Sequence, residues 1–294
     1  MITTRSIGAL ALAAAVLLAL PIPAAAVSDL LPDLKMAPLY DVSLEYKKSG
    51  KVRLRFGTIV MNIGQGPLEA RGNKRIKGHM TEIRQVIHSS TGSTRSVTPP
   101  NVTGFYAGDG HNHWHLSQFV VATLYPAEAA GPPAPSAVRS LHKIGFCLTD
   151  SLRVPEEIRP PNSAPRRAYP WTGCGNSNST HFKMGISVGW ADEYPAWIAH
   201  QWVEVTNLPE DDYRLCATPN PVGDWLELDQ TNNSAWIDVH LNVAAKQVSI
   251  IGQGDTDCQP AAAAALTAAF RGAPAALYCP IETETALDRR LGQL

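Results

Sequence analysis

His111, His113 and His115 place three imidazoles at i, i+2 and i+4, separated only by Asn112 and Trp114. In an extended segment all three project from one face. The outer Cα atoms of a flat strand would stand about 13 Å apart at ~3.3 Å per residue. An imidazole nitrogen ligates a metal at about 2 Å, so the three converge on one ion only where the backbone curves. Gly108 and Gly110, immediately upstream, supply that freedom. Imidazole-only ligation suits copper or zinc better than calcium or magnesium. Three of nine histidines in five residues argue against a polar strand that carries histidine by chance.

The segments that must hold these histidines read as strands. Lys51 to Phe56 alternates Val52, Leu54 and Phe56 with Lys51, Arg53 and Arg55, the period-two pattern of a half-buried strand. Gln118 to Tyr125 is apolar and β-rich and ends at Pro126, and Ile144 to Leu148 is a shorter run. Gln201 to Thr206, the turn residues Asn207 to Asp212, and Tyr213 to Thr218 read as a β-hairpin. Ile237, Val239 and Leu241 alternate with Trp236, Asp238 and His240. Many short strands between Gly, Pro and Asn turns predict an all-β, antiparallel β-sandwich with long loops. Seven tryptophans and eight tyrosines suit such a core. Pro126 to Ser136 reads as a surface loop and Pro155 to Pro170 as a long irregular excursion. Beyond about Val243 the composition changes, and Ala-rich Pro260 to Ala269 predicts one short helix.

Residues 1–26 have the pattern of a signal peptide. Arg5 is their only charged side chain, Ile7 to Leu20 is apolar, and Ala24-Ala25-Ala26 closes on an A-x-A pattern. Pro21 and Pro23 interrupt the apolar run, which favours cleavage over a retained anchor. No later segment is long and apolar enough to cross a bilayer, so the mature chain is expected to be secreted or extracytoplasmic with no membrane span. A formal net charge of −1 offers no basic surface for nucleic acid. Export would put Cys147, Cys174, Cys216, Cys258 and Cys279 in an oxidising compartment. Two bridges and one free thiol are the simplest arithmetic, and proximity alone favours Cys147 with Cys174 and Cys258 with Cys279.

Two further elements follow the histidines. One is His142-Lys143-Ile144-Gly145-Phe146-Cys147-Leu148-Thr149-Asp150. The other runs from Gly185-Ile186-Ser187-Val188-Gly189 through Asp192 and Tyr194 to Gln201-Trp202. An isolated buried lysine or tyrosine has ordinary structural uses. In this order, however, the motifs resemble the catalytic domain of lysyl oxidases. Leu31-Pro32-Asp33-Leu34, Val52 to Phe56 with Asn62-Ile63-Gly64, Asn220-Pro221 and Asp229 to Asn233 extend the likeness over roughly Leu31 to Leu241. With the signal peptide at 1–26, the resemblance implies a catalytic domain at 27–243; the C-terminal extension at 244–294, expected to be bracketed by Cys258 and Cys279, lies outside it.

The resemblance implies copper(II) ligation by His111, His113 and His115. It makes Lys143 and Tyr194 the precursors of lysine tyrosylquinone, a self-made cofactor. Copper and O2 oxidise the tyrosine ring toward an electrophilic quinone, and a neutral lysine amine adds to it, which requires the lysine to be partly desolvated. The substrate would be a primary amine or a lysine-containing protein. It would be converted with O2 to an aldehyde, hydrogen peroxide and ammonia. Asp192 is a candidate general base that could equally cap a turn. Trp190 and His200 occupy two positions where the animal enzymes carry cysteine, which implies a missing bridge compensated by packing. His142, His181, His200 and His240 lack ligand spacing and read as structural. Two other readings keep the histidines: a non-catalytic secreted copper-binding β-sandwich, and a zinc hydrolase with an open fourth position and Asp109 as the nearest carboxylate. Lys143 and Tyr194 together separate the oxidase from the binding module, and no H-E-x-x-H pattern supports the hydrolase.

Overall fold

Val52, Leu54 and Phe56 form the apolar half of an 11-residue strand, Val52–Asn62, that organises one sheet. In the computed structural model, which describes residues 27–107, 111–127, 139–141, 143, 145–256 and 258, this strand is buried on both faces. Arg53 is only 5% exposed. Its guanidinium lies 4.1 Å from the Trp202 ring centroid and 3.7 Å from Glu45. Arg55 donates to Ala196 O at 2.6 Å, Ile198 O at 2.6 Å and Glu45 at 2.9 Å. The strand expected to be half-buried is therefore covered on its charged face too. Buried guanidinium groups persist there because planar donors meet carbonyl, carboxylate and aromatic partners.

Leu34–Met36 and Tyr40–Tyr46 pair along one edge of this strand, and Trp190–Tyr194 and Trp202–Glu204 along the other. A second sheet runs in the order Gly145–Phe146, His113–Ser117, Gly104–Ala107, His79–Ser89, Leu68–Ile76 and Phe182–Ile186. A third runs Arg139–Ser140, Val120–Pro126, Asp211–Pro219, Ala235–Asn242 and Gln247–Gly254. Every pairing among the described residues is antiparallel. No α-helix occurs among them, as expected for an all-β sandwich. One apolar core joins the sheets through Phe56, Trp114, Leu116, Phe146, Leu215 and Ile237, all fully buried. Ala235–Asn242 alternates strictly between buried and half-buried positions, as its sequence requires.

Two expectations are corrected. Trp202–Glu204 and Asp211–Pro219 are not a hairpin: the first pairs with Arg53–Arg55, the second with Val120–Pro126 and Ala235–Asn242. The turn itself is real, with Asn207 at φ 60° and Leu208 N–H donating to Val205 O at 3.1 Å, but it hands the chain from one sheet to another. Turn chemistry is local, whereas strand partnership is decided by which apolar face meets which sheet. Cys147 does pair with Cys174, but Cys258 pairs with Cys216 rather than Cys279. Gln247–Gly254 adds a strand beyond Val243 and brings the chain back over Cys216, beating the shorter sequence separation. Cys258→Ser is expected to lower stability by about 2–4 kcal/mol, whereas Cys279→Ser should leave that bridge intact. Thermal melts and a non-reducing peptide map would check both. The expectations of a signal peptide at 1–26, of a surface loop beyond residue 127 and of a helix at Pro260 to Ala269 fall outside the described residues.

The stretch between Asp211–Pro219 and Ala235–Asn242 is clasped by side chains. Asn220, at φ 48°, donates to Trp225 O at 2.8 Å and accepts from Trp225 N–H at 3.0 Å. Buried Glu227 accepts from Leu34 N–H and from Asn233, each at 2.9 Å, and burial lifts its pKa to about 7. Thr231 N–H donates to Asp229 at 2.8 Å, the Asx turn expected for that motif.

Candidate metal and tyrosine site

His113 and His115 sit on His113–Ser117, with His115 opposite Phe105 and His113 opposite Ala107. His111 precedes the strand. Asn112, at φ 55°, turns the chain there, and its N–H donates to Ala107 O at 3.1 Å. Asparagine tolerates this left-handed conformation. The curvature expected of Gly108 and Gly110, which lie outside the described residues, is thus achieved at least in part by Asn112. The result is a cluster: the ring centroids of His111, His113 and His115 are 4.7 to 5.5 Å apart. One ligand nitrogen from each lies within 4.8 Å of the others, and His113 Nε2 and His115 Nε2 are 2.9 Å apart. Nitrogens bound about 2 Å from one ion stand roughly 3 Å from one another. The His113–His115 pair already meets that spacing. Among the described residues no other group of His, Cys, Asp or Glu is so disposed. The donor set fits copper(II) or zinc(II).

Three residues lie against the rings. Phe105 meets His115 edge-to-face at 5.6 Å and Trp171 meets His113 at 6.1 Å. Gly145, on the adjacent strand, allows the closest approach: a Cβ there would fall 2.6 Å from His115 Nδ1. The same short strand carries Phe146, whose ring meets Tyr194 edge-to-face at 5.2 Å. The histidines and the tyrosine are therefore joined through two residues of one strand.

Lys143 and Tyr194 come together. The lysine is 5% exposed, and its Nζ lies 5.2 Å from the Tyr194 ring centroid and 5.3 Å from that of Phe146. The expected desolvation of the lysine is met. Tyr194 is buried on Trp190–Tyr194, and its hydroxyl lies 2.5 Å from Asp192 Oδ2 and 3.0 Å from Cys147 O. Asp192 also accepts from Thr149 Oγ1 at 3.1 Å. Burial pushes the Asp192 carboxyl up to about 8, against smaller opposing effects of its hydrogen bonds and Lys143. Burial, then the Asp192 charge, pushes the Tyr194 phenol well above its ordinary range. The Tyr194 hydroxyl thus faces two acceptors, the Asp192 carboxyl and Cys147 O.

Asp192, offered by the sequence as a general base or a turn cap, lies against the Tyr194 hydroxyl. Thr149 and Trp171 carried no signal by spacing. The Gly-x-Ser-x-Gly motif has a structural purpose: buried Asp150 accepts from Ser187 N–H and Oγ, each at 2.7 Å, and from Ala168 and Tyr169 N–H. That bond ties the segment after Lys143 to the segment before Tyr194. Trp190 donates to Ala164 O at 2.9 Å and lies under the guanidinium groups of Arg153 and Arg167. His240 pairs with Asp212 at 2.7 Å, as a structural histidine would.

Asp192 gives a stability test with a definite sign. In the unfolded chain it loses its proton near 4, in the folded protein near 8. Its contribution is complete below about pH 4 and is lost as pH rises through that window to about 8. In metal-free protein, Asp192→Asn should flatten the fall in urea midpoint between pH 5 and 8. An unchanged slope in the variant would contradict this assignment.

The lysyl oxidase family model matches residues 101–250. Lysyl oxidase homolog 4 of Mus musculus is 31% identical over 123 residues, covering 42% of this chain. The chain spans only 14% of that relative's length. The matched family segment contains the three histidines, Lys143, Asp192 and Tyr194, on the all-β scaffold described above. The chain belongs to the lysyl oxidase family.

Proposed function

We propose that the protein is a copper(II)-dependent oxidase of primary amines, such as peptidyl lysine, that uses a lysine tyrosylquinone derived from Lys143 and Tyr194. The observation that carries the reading is the approach of Lys143 Nζ to within 5.2 Å of the Tyr194 ring centroid, in a buried site joined to the three histidines. A copper-binding module needs the histidines but has no use for that pair. The copper–quinone group, when bound and formed, would supply the redox chemistry by which a primary amine, O2 and water give an aldehyde, hydrogen peroxide and ammonia.

The chain's own residues perform the remaining work. His111, His113 and His115 hold the metal. Phe146 lies against the tyrosine ring and, with the surrounding core, keeps water from it. Cys147 O and Asp192 fix the Tyr194 hydroxyl, and Thr149 orients Asp192. Asp192, with a pKa of about 8, is suited to take a proton at the tyrosine oxygen and then from the substrate carbon bearing the amine. The two disulfides support action outside the cytoplasm.

Chelation followed by reconstitution tests the metal. Copper(II) should restore O2-dependent hydrogen peroxide release from a primary amine, and zinc(II) should not. Stoichiometric copper without amine turnover would overturn the oxidase reading in favour of the binding module.

A further inference from the structure

Trp171 is 63% exposed, yet its position is tightly defined. It opens the 3-10 turn Trp171–Cys174, closed by Gly173 N–H donating to Pro170 O at 2.8 Å and anchored by the Cys147–Cys174 disulfide. A Cβ at Gly173 would fall 2.3 Å from Lys183 O, so the turn is seated directly on the neighbouring strand. Just beyond it, Asn176 O accepts from Trp114 Nε1 at 3.0 Å, tying the loop to the residue between His113 and His115. The Trp171 ring meets His113 edge-to-face at 6.1 Å. Cys147 touches both sides: its Sγ lies 3.9 Å from Trp171 O, and its carbonyl receives the Tyr194 hydroxyl. A single exposed tryptophan is ordinary. One held on a disulfide-anchored turn with its ring against a ligand-type histidine is an exposed aromatic surface beside the histidine cluster.

We propose that Trp171 is a specificity-determining residue whose indole face holds the non-reacting cationic end of a diamine or lysine-rich substrate. The inference rests on the amine-oxidase reading and extends it to a substrate class. A tryptophan face attracts an ammonium group and packs against a methylene chain. The reacting amine must reach Tyr194 uncharged, so a second positive charge on the same chain is the group that gains from Trp171.

The test compares 1,5-diaminopentane with n-pentylamine, which has the same chain length and no second ammonium. In the copper-loaded full chain, Trp171→Ala should raise KM for the diamine roughly fivefold with kcat unchanged. KM for pentylamine should stay the same, and Trp171→Phe should restore most of the difference. Equal changes for both amines, or none, would overturn the proposal. So would loss of bound copper or of the Lys143–Tyr194 crosslink in Trp171→Ala, since that marks a structural role. If wild-type protein oxidises neither amine, the enzymatic reading fails by itself, and calorimetric titration with 1,5-diaminopentane decides the surface. Weaker binding by Trp171→Ala would sustain it, and identical isotherms would overturn it.

Discussion

Replacing Tyr194 with phenylalanine is expected to give a folded, copper-binding protein whose amine oxidation falls to background. The phenylalanine keeps the ring that meets Phe146. It removes the hydroxyl shared between Asp192 and Cys147 O, at an expected cost of about 1–3 kcal/mol. Without the phenol oxygen the ring cannot be oxidised to a quinone, so no substrate, pH or copper concentration should rescue turnover. Copper stoichiometry should match wild type, because no histidine of the cluster lies on the Tyr194 strand. Residual oxidation at a tenth of the wild-type rate would show that the chemistry does not pass through Tyr194.

His115→Ala should have a comparably large effect by another route. His115 is the most buried of the three imidazoles, packed between Phe105 and Gly145. Its loss removes a ligand and opens a gap in the wall that holds the other two. Altering groups that merely orient ligands costs 10- to 100-fold in metal affinity, so removing this ligand should exceed roughly 100-fold. Copper retained after dialysis against a weak chelator would measure it. His240→Ala, whose histidine pairs with Asp212, should retain copper like wild type. Equal retention by both variants would show that the histidine cluster is not the copper site.

The residues of the site were more legible in the sequence than the contacts that tune them. Histidine spacing pointed to a metal, and the ordered motifs pointed to Lys143 and Tyr194, because each position demands particular side-chain chemistry. The curvature that clusters the histidines was expected from glycine, and Asn112 contributes it because a left-handed residue need not be glycine. Thr149 is two residues from Cys147 and far from Asp192 in sequence, so only the fold shows that it fixes the carboxyl. Strands with one buried face, such as Ala235–Asn242, were read from their period. Lys51 to Phe56 reads as half-buried because period two cannot reveal that a second layer of carbonyl and aromatic partners covers the arginines. Pairings were the least legible: the apparent hairpin at Asn207 and the nearer cysteine partner both lost to contacts made by the third sheet.

Peptide mass mapping of the purified protein, before and after exposure to copper(II) and air, tests the central claim most directly. A crosslinked species joining the Lys143 and Tyr194 peptides, formed only after copper exposure and absent from Tyr194→Phe, is the expected result. Separate, unmodified peptides in protein that carries stoichiometric copper at His111, His113 and His115 would contradict it.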